Sequence, residues 1–205
     1  VNDSFDYVLD DLGLSNIMMN QNISTKKYFS PFLINDQLKL FVNDSNHDIN
    51  SLDYIKSIYN LIKSIKINIS KRILVLCTSY KQISDFKNLF NSDDSQKNLL
   101  FQESSSSKQV LLKQYLLNQD SVLFGTSSFW EGIDLPDDKL EILIIVKLPF
   151  SNPYNPIVQA KIDTYIEKHK DPFYDYQLSE TILKLKQGIG RLIRHKNDMG
   201  ICILT

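Results

Sequence analysis

Several runs in this chain are apolar at consecutive positions, and that leaves few folds open. Arg72–Thr78 contains Ile73-Leu74-Val75-Leu76-Cys77, and Leu140–Lys147 contains Ile142-Leu143-Ile144-Ile145-Val146. Ser121–Gly125 and Ile201–Leu204 are shorter versions of the same pattern, and Leu99–Gln102 reads as a further short strand. A strand with one wet face alternates apolar and polar residues. One that is apolar throughout is buried on both faces, as in parallel sheets covered by helices. The intervening segments have helical spacing. Ile49, Leu52, Ile55, Ile58, Tyr59, Ile62 and Ile65 form one stripe with lysines outward. Ser79 is placed to cap a helix through Phe90, with Ile83, Phe86, Leu89 and Phe90 inward. Val110, Leu111, Tyr115 and Leu116 mark another helix, and Asn155-Pro156 and Asp171-Pro172 are helix starts. The second of these opens a helix expected to run through Arg194. The predicted fold class is therefore α/β, a doubly wound, mostly parallel sheet with helices on both faces. Ligands in such sheets sit at the carboxyl ends of strands, which directs attention to the residues after Cys77, Gly125 and Lys147, and before the last strand.

Residues 1–48 are less regular. Asp3–Leu12 is expected to be a short helix ended by Gly13, Lys27–Phe32 and Gln37–Val42 two short extended segments, and Asn43–Asn50 a loop. The formal charge of −1 excludes a global basic field, so any nucleic-acid binding must come from local groups. The two cysteines, Cys77 and Cys202, lie in apolar runs and read as buried thiols. Two are too few for a four-thiolate metal or iron–sulfur site. His169 and His195 have no metal-ligand spacing and read as surface residues. No signal peptide is evident and no apolar run is long enough for a membrane span, so a soluble, cytoplasmic protein with no membrane contact is expected. The chain opens on valine and stops after an apolar run, so both ends read as cuts within a longer protein.

Two stretches carry chemistry. Gln187-Gly188-Ile189-Gly190-Arg191-Leu192-Ile193-Arg194, read as helix, places Gln187, Arg191 and Arg194 on one side and Ile189, Leu192 and Ile193 on the other. Arginine presents planar donors that suit phosphate oxygens. Each helical glycine costs about 1 kcal/mol relative to alanine, so the pair implies that something approaches the backbone closely. The alternative is a helix C-terminus whose basic residues only complement the dipole. The second stretch, Gly125-Thr126-Ser127-Ser128-Phe129-Trp130-Glu131-Gly132-Ile133-Asp134-Leu135-Pro136, places three hydroxyls at a strand end, followed by a turn. Hydroxyls and turn N–H groups can hold phosphate oxygens, and Asp134 can accept from a ribose. The alternative is a serine-rich turn with a core tryptophan.

Taken together, these stretches resemble motifs V and VI of superfamily-two helicases, most closely the DinG branch of the XPD/Rad3-like group. Ile73–Tyr80 is similar to motif IV, Val146–Pro153 to that branch's strand-to-loop segment, and Ser30-Pro31-Phe32 to the start of the region following motif III. The resemblance covers roughly residue 25 onward. It implies a RecA-like fold, with residues 1–48 a lead-in from a preceding domain and 49–205 the second RecA-like domain. No G-x-x-x-x-G-K-[S/T] and no Asp-Glu pair occurs. In the family, the phosphate loop and the magnesium carboxylates belong to the first RecA-like domain.

The resemblance further implies ATP with Mg2+ bound in a cleft shared with that upstream domain, and single-stranded DNA as partner. Arg191 and Arg194 would contact the γ-phosphate, Arg194 as arginine finger, and Gln187 would orient water or phosphate. Gly132 and Asp134 would close on the nucleotide, and Gly190 would permit close approach. Thr78, Ser79, Tyr80, Thr126 and Ser127 would hold the DNA strand, with Tyr80 and Trp130 available for stacking or, for Trp130, core packing. Lys147 reads equally as a phosphate contact or a charged strand end. The implied function is the motor half of an ATP-dependent DNA helicase or translocase, with the fragment alone inactive. The alternative is an ATP-sensing, DNA-binding module that regulates an N-terminal exonuclease.

Overall fold

The computed structural model describes residues 5–14, 24–43, 48–91, 97–126, 129 and 140–205. The uninterrupted apolar runs are strands, and their order is β1-β6-β5-β2-β4-β3 with every neighbour parallel. Along the chain these are β1 (Leu38–Val42), β2 (Ile73–Leu76), β3 (Leu99–Phe101), β4 (Val122–Gly125), β5 (Ile142–Ile145) and β6 (Gly200–Leu204). This is the RecA-like α/β architecture. All four residues of β2, β4 and β5 are buried, as consecutive apolar residues require.

Helices α3 (Leu52–Asn68) and α4 (Tyr80–Asn91) bury their stripes on one face of the sheet. Ile58 and Ile62 of α3, and Ile83, Phe86 and Phe90 of α4, share a cluster with Ile73, Val75, Val122, Phe124, Ile142 and Ile144. Within it Phe101 stacks on Phe124 at 4.7 Å between ring centroids, and Phe86 meets Phe124 at 5.3 Å. The alternate strand residues Leu74, Leu123, Leu143 and Ile145, on the opposite face, are equally inaccessible. Ser51 caps α3 by accepting from Tyr54 N at 3.1 Å, so this helix starts later than its apolar stripe predicts. Helix α5 (Lys108–Leu117) buries Leu111 and Tyr115.

Two compact units emerge. One comprises Phe32–Leu148 and Gln187–Thr205 and contains the whole sheet, together with the four-residue helix α2 (Ile34–Gln37) that leads into β1. Gln37–Val42 is thus extended from Leu38 onward, as an edge strand on β6. Lys27–Phe32 forms no strand: it has no ladder partner among the described residues, and Pro31 has no N–H to donate.

The other unit comprises Val1–Pro31 and Pro149–Lys186. It holds α1 (Asp6–Asp11), α6 (Pro156–Glu167), a π-helical turn (Pro172–Gln177) and most of α7 (Leu178–Ile189). Its small core is Val158, Tyr165 and Tyr176, flanked by Tyr7 and Ile162. Lys161 pairs with Asp11, and Lys170 with Asp10.

The helix opened by Asp171-Pro172 does not reach Arg194; it stops at Ile189. Beyond it, Arg191 N donates to Gly188 O at 3.1 Å and Leu192 N to Ile189 O at 2.9 Å, a tighter i→i−3 turn. Gly188 and Gly190 give the helix little reason to continue. Farther on, backbone donors find a side-chain carboxylate instead of a helical carbonyl.

Candidate nucleotide and nucleic-acid sites

The arginine loop leads from α7 into β6. Asp198 is its anchor. Its Oδ2 accepts from Arg194 N at 2.6 Å and from His195 N at 2.7 Å. Gln37, buried at the end of α2, donates its Nε2 to His195 O at 2.9 Å and to Asp198 O at 3.0 Å. Leu192 and Ile193 are buried, and Leu192 lies so tightly over β6 that a Cβ on Gly200 would stand 2.8 Å from Leu192 Cβ. The loop is therefore held from both flanks and from below. Arg191 and Arg194 are half-buried, whereas Gln187 and Gly190 are exposed. Leu192 and Ile193 are buried and Gln187 exposed, as on the two sides read from the sequence, but Ile189 is no more buried than the arginines, and beyond Ile189 a pinned loop rather than a helix carries them.

Thr78, Ser79, Tyr80 and Thr126 lie at the carboxyl ends of β2 and β4, which are paired Leu76 to Gly125. Two buried glutamines organise them. Gln82 Oε1 accepts from Thr78 N at 2.9 Å and from Thr78 Oγ1 at 3.1 Å. Gln102 Oε1 accepts in the same way from Thr126 N at 2.8 Å and Thr126 Oγ1 at 3.1 Å, and its Nε2 donates to Tyr80 OH at 3.1 Å. Ser79 caps α4, its Oγ accepting from Gln82 N at 3.3 Å. Thr78 and Tyr80 remain exposed and Thr126 is buried. Because every strand runs the same way, this cluster and the arginine loop occupy opposite ends of the strands: the loop precedes β6, at the amino ends, and the threonines follow β2 and β4, at the carboxyl ends. The structure brings each set together and keeps the two sets apart.

The expected contacts Ser127, Gly132 and Asp134, and also Trp130, lie outside the described residues. Phe129 is described and fully buried. Its N–H donates to Thr126 O at 2.8 Å, and its ring packs so closely on β4 that a Cβ on Gly125 would come within 2.8 Å of it.

The family model described as the helicase C-terminal domain matches residues 60–205. The chain belongs to that family. It is 35% identical over 204 residues to the ATP-dependent DNA helicase YoaA of Haemophilus influenzae, covering 100% of this chain and 31% of that protein. It is 31% identical over 210 residues to the 3′-5′ exonuclease DinG of Bacillus subtilis, covering 100% of this chain and 22% of that protein. A solved structure of XPD in its apo form matches in fold with a TM-score of 0.67 at 16% identity, covering 98% of this chain and 41% of that one. The chain thus spans less than a third of these curated relatives.

Within this helicase C-terminal domain, Cys77 and Cys202 are buried free thiols, and burial pushes both thiols well above the ordinary range. Among the described residues no group of His, Cys, Asp and Glu is arranged to hold a metal, and no helix is long and apolar enough to cross a membrane. His169 and His195 are exposed. Lys147 Nζ donates to Asn50 Oδ1 at 2.7 Å at the end of β5. Gln37, Gln82, Gln102 and Asp198 have no counterpart among the residues the motifs point to. A buried glutamine at a strand end has no periodicity to betray it, and Asp198 looks like an ordinary member of the polar run Lys196-Asn197-Asp198.

Proposed function

We propose that this domain is the second motor domain of an ATP-dependent DNA helicase or translocase that works in the cytoplasm. It contributes one wall of a nucleotide site whose other wall comes from an upstream RecA-like domain. The observation that carries this reading is the anchoring of the Arg191–Arg194 loop by Asp198, Gln37 and the Leu192–Gly200 contact. A guanidinium is useful against a transferring phosphoryl group only if its backbone cannot drift, and this loop is held at several points.

In this reading Arg194 offers donors to the charge developing on the γ-phosphoryl group, and Arg191 supports it. Gln187 orients water or phosphate, Gly190 permits close approach, and Gly132 and Asp134 meet the nucleotide. Mg2+, held with ATP by the upstream domain, would supply neutralisation of phosphate charge that the arginines of this domain then complement. At the carboxyl ends of the strands, Thr78, Ser79 and Tyr80, with Ser127 and the more deeply set Thr126, hold the backbone of single-stranded DNA. Separate strand ends for the arginines and for DNA let nucleotide turnover shift the DNA grip without the two ligands competing for space.

The test is Arg194→Ala in the full-length protein. DNA-stimulated ATP hydrolysis is expected to fall by about 10³-fold or more with an unchanged circular dichroism spectrum. Unchanged turnover would overturn the finger assignment. The isolated chain is expected to hydrolyse no ATP with or without single-stranded DNA, and robust turnover there would overturn the shared-site reading.

A second reading is favoured by the exonuclease name of the Bacillus subtilis relative. There, the same two sets of residues sense ATP and DNA to gate a nuclease elsewhere in the polypeptide. Strand separation by the full-length protein with its nuclease inactivated distinguishes the two, since a gating module separates nothing.

A further inference from the structure

The loop after β5 and the turn that opens the last helix bring three aromatic rings to the surface of the helical unit. Phe150 stacks on Phe173 with centroids 5.8 Å apart and planes 21° from parallel. Phe173 meets Tyr174 edge-on at 5.1 Å. All three rings are exposed, Tyr174 by 65%.

Their backbones, by contrast, are tightly fixed. Asp171 Oδ1 accepts from Phe173 N at 2.8 Å and from Tyr174 N at 3.0 Å. Both residues belong to the π-helical turn Pro172–Gln177, a rare conformation that recurs at functional sites. Next to Phe150, Ser151 Oγ donates to Glu180 Oε2 at 2.9 Å and accepts from Lys184 Nζ at 2.8 Å. Lys184 also pairs with Glu180. The rings are thus presented in a fixed arrangement, their ordering entropy already spent when a ligand arrives.

We infer that Phe150, Phe173 and Tyr174 form a stacking platform for the bases of single-stranded DNA, additional to the backbone contacts at the strand ends. This rests on the proposed motor function. The choice of bases follows from the chemistry. Planar, half-open rings match the faces of nucleobases, and the match tolerates any sequence because every base has a π-face. The Glu180–Lys184 pair beside Phe150 is balanced and the turn itself carries the carboxylates of Asp171 and Asp175, so nothing here draws phosphate. The platform reads bases and leaves the backbone to other groups.

The experiment uses the full-length protein and two probes, fluorescein-labelled oligo(dT) and an abasic strand of equal length and charge. The variant is Phe173→Leu with Tyr174→Leu, which keeps apolar bulk and removes the π-faces. A thermal melt at the wild-type midpoint establishes that it folds, and Tyr174→Leu alone replaces it otherwise. Wild type is expected to bind oligo(dT) roughly tenfold more tightly than the abasic strand, and the variant to lose most of that ratio while binding the abasic strand as before. A variant with the wild-type ratio overturns the platform and leaves the motor reading intact. A wild type that binds neither strand overturns both.

Discussion

At the scale of single residues, placement of the arginines depends on groups that carry no catalytic chemistry. Asp198 satisfies two successive backbone donors with one oxygen. Asp198→Ala leaves both without that acceptor, at a cost of about 1–3 kcal/mol, and should lower DNA-stimulated ATPase in the full-length protein while Arg191 and Arg194 are unchanged. A urea titration alongside steady-state kinetics checks it, and wild-type stability and turnover together would contradict it. Gly200→Ala tests the same loop from below. The new methyl has to displace Leu192, an overpacking expected to cost about 1–3 kcal/mol, and the displacement is passed to Arg191 just before it and Arg194 two residues on. The expected signature is a fall in kcat larger than any rise in KM for ATP.

At the scale of elements, the carboxyl ends of β2 and β4 are finished by the same device, a threonine whose N–H and hydroxyl both meet one glutamine oxygen. Gln102 joins three elements, since it follows β3, holds Thr126 after β4 and donates to Tyr80 at the start of α4. Gln102→Leu should therefore destabilise the sheet unit by about 1–3 kcal/mol, because Thr126 N–H is buried and loses its acceptor. It should also weaken single-stranded DNA binding by releasing Tyr80. Gln82→Leu, acting on exposed Thr78, should cost less. A binding isotherm and a denaturation curve on each variant test the ordering, and equal effects would contradict it.

At the scale of the whole molecule, the titrating groups point toward alkaline lability. Burial raises the phenols of Tyr7, Tyr54, Tyr115, Tyr165 and Tyr176 and the thiols of Cys77 and Cys202. The hydrogen bonds from Lys161 to Asp11 and from Lys170 to Asp10 raise those ammonium groups. A group raised in the folded state contributes stability that is complete below its unfolded value and is lost as pH climbs towards the folded one. Stability should therefore hold up to about pH 8.5, where free thiols begin to ionise, and fall steeply above about pH 10, where phenols and lysines join. Urea midpoints from pH 7 to 11 measure this, and midpoints that do not fall between about pH 8.5 and 11 would contradict it.

The sheet was legible because burial on two faces leaves an uninterrupted apolar run, and β2, β4 and β5 fall inside the runs read for them. The helix before the arginines was legible at its start, where Asp171-Pro172 has local chemistry. Its end was not, because the competing acceptor, Asp198, is supplied by folding back. Likewise nothing near Gln37 indicates that it binds the backbone of His195 and Asp198. Such contacts are made by pairs of residues whose meeting depends on the finished topology.

That topology sets an order in time. Among the described residues β1 is the first strand along the chain and β6 the last, yet they are neighbours, and Gln37 spans 158 and 161 residues to its partners. On a ribosome, β2, β4 and β5 can assemble as soon as each emerges. β1 must wait as an unpaired edge until β6 is made, a closure that long loops slow. The arginine loop therefore matures only after β6 is made, and a nascent chain cannot present it to a nucleotide before these strands around it have paired.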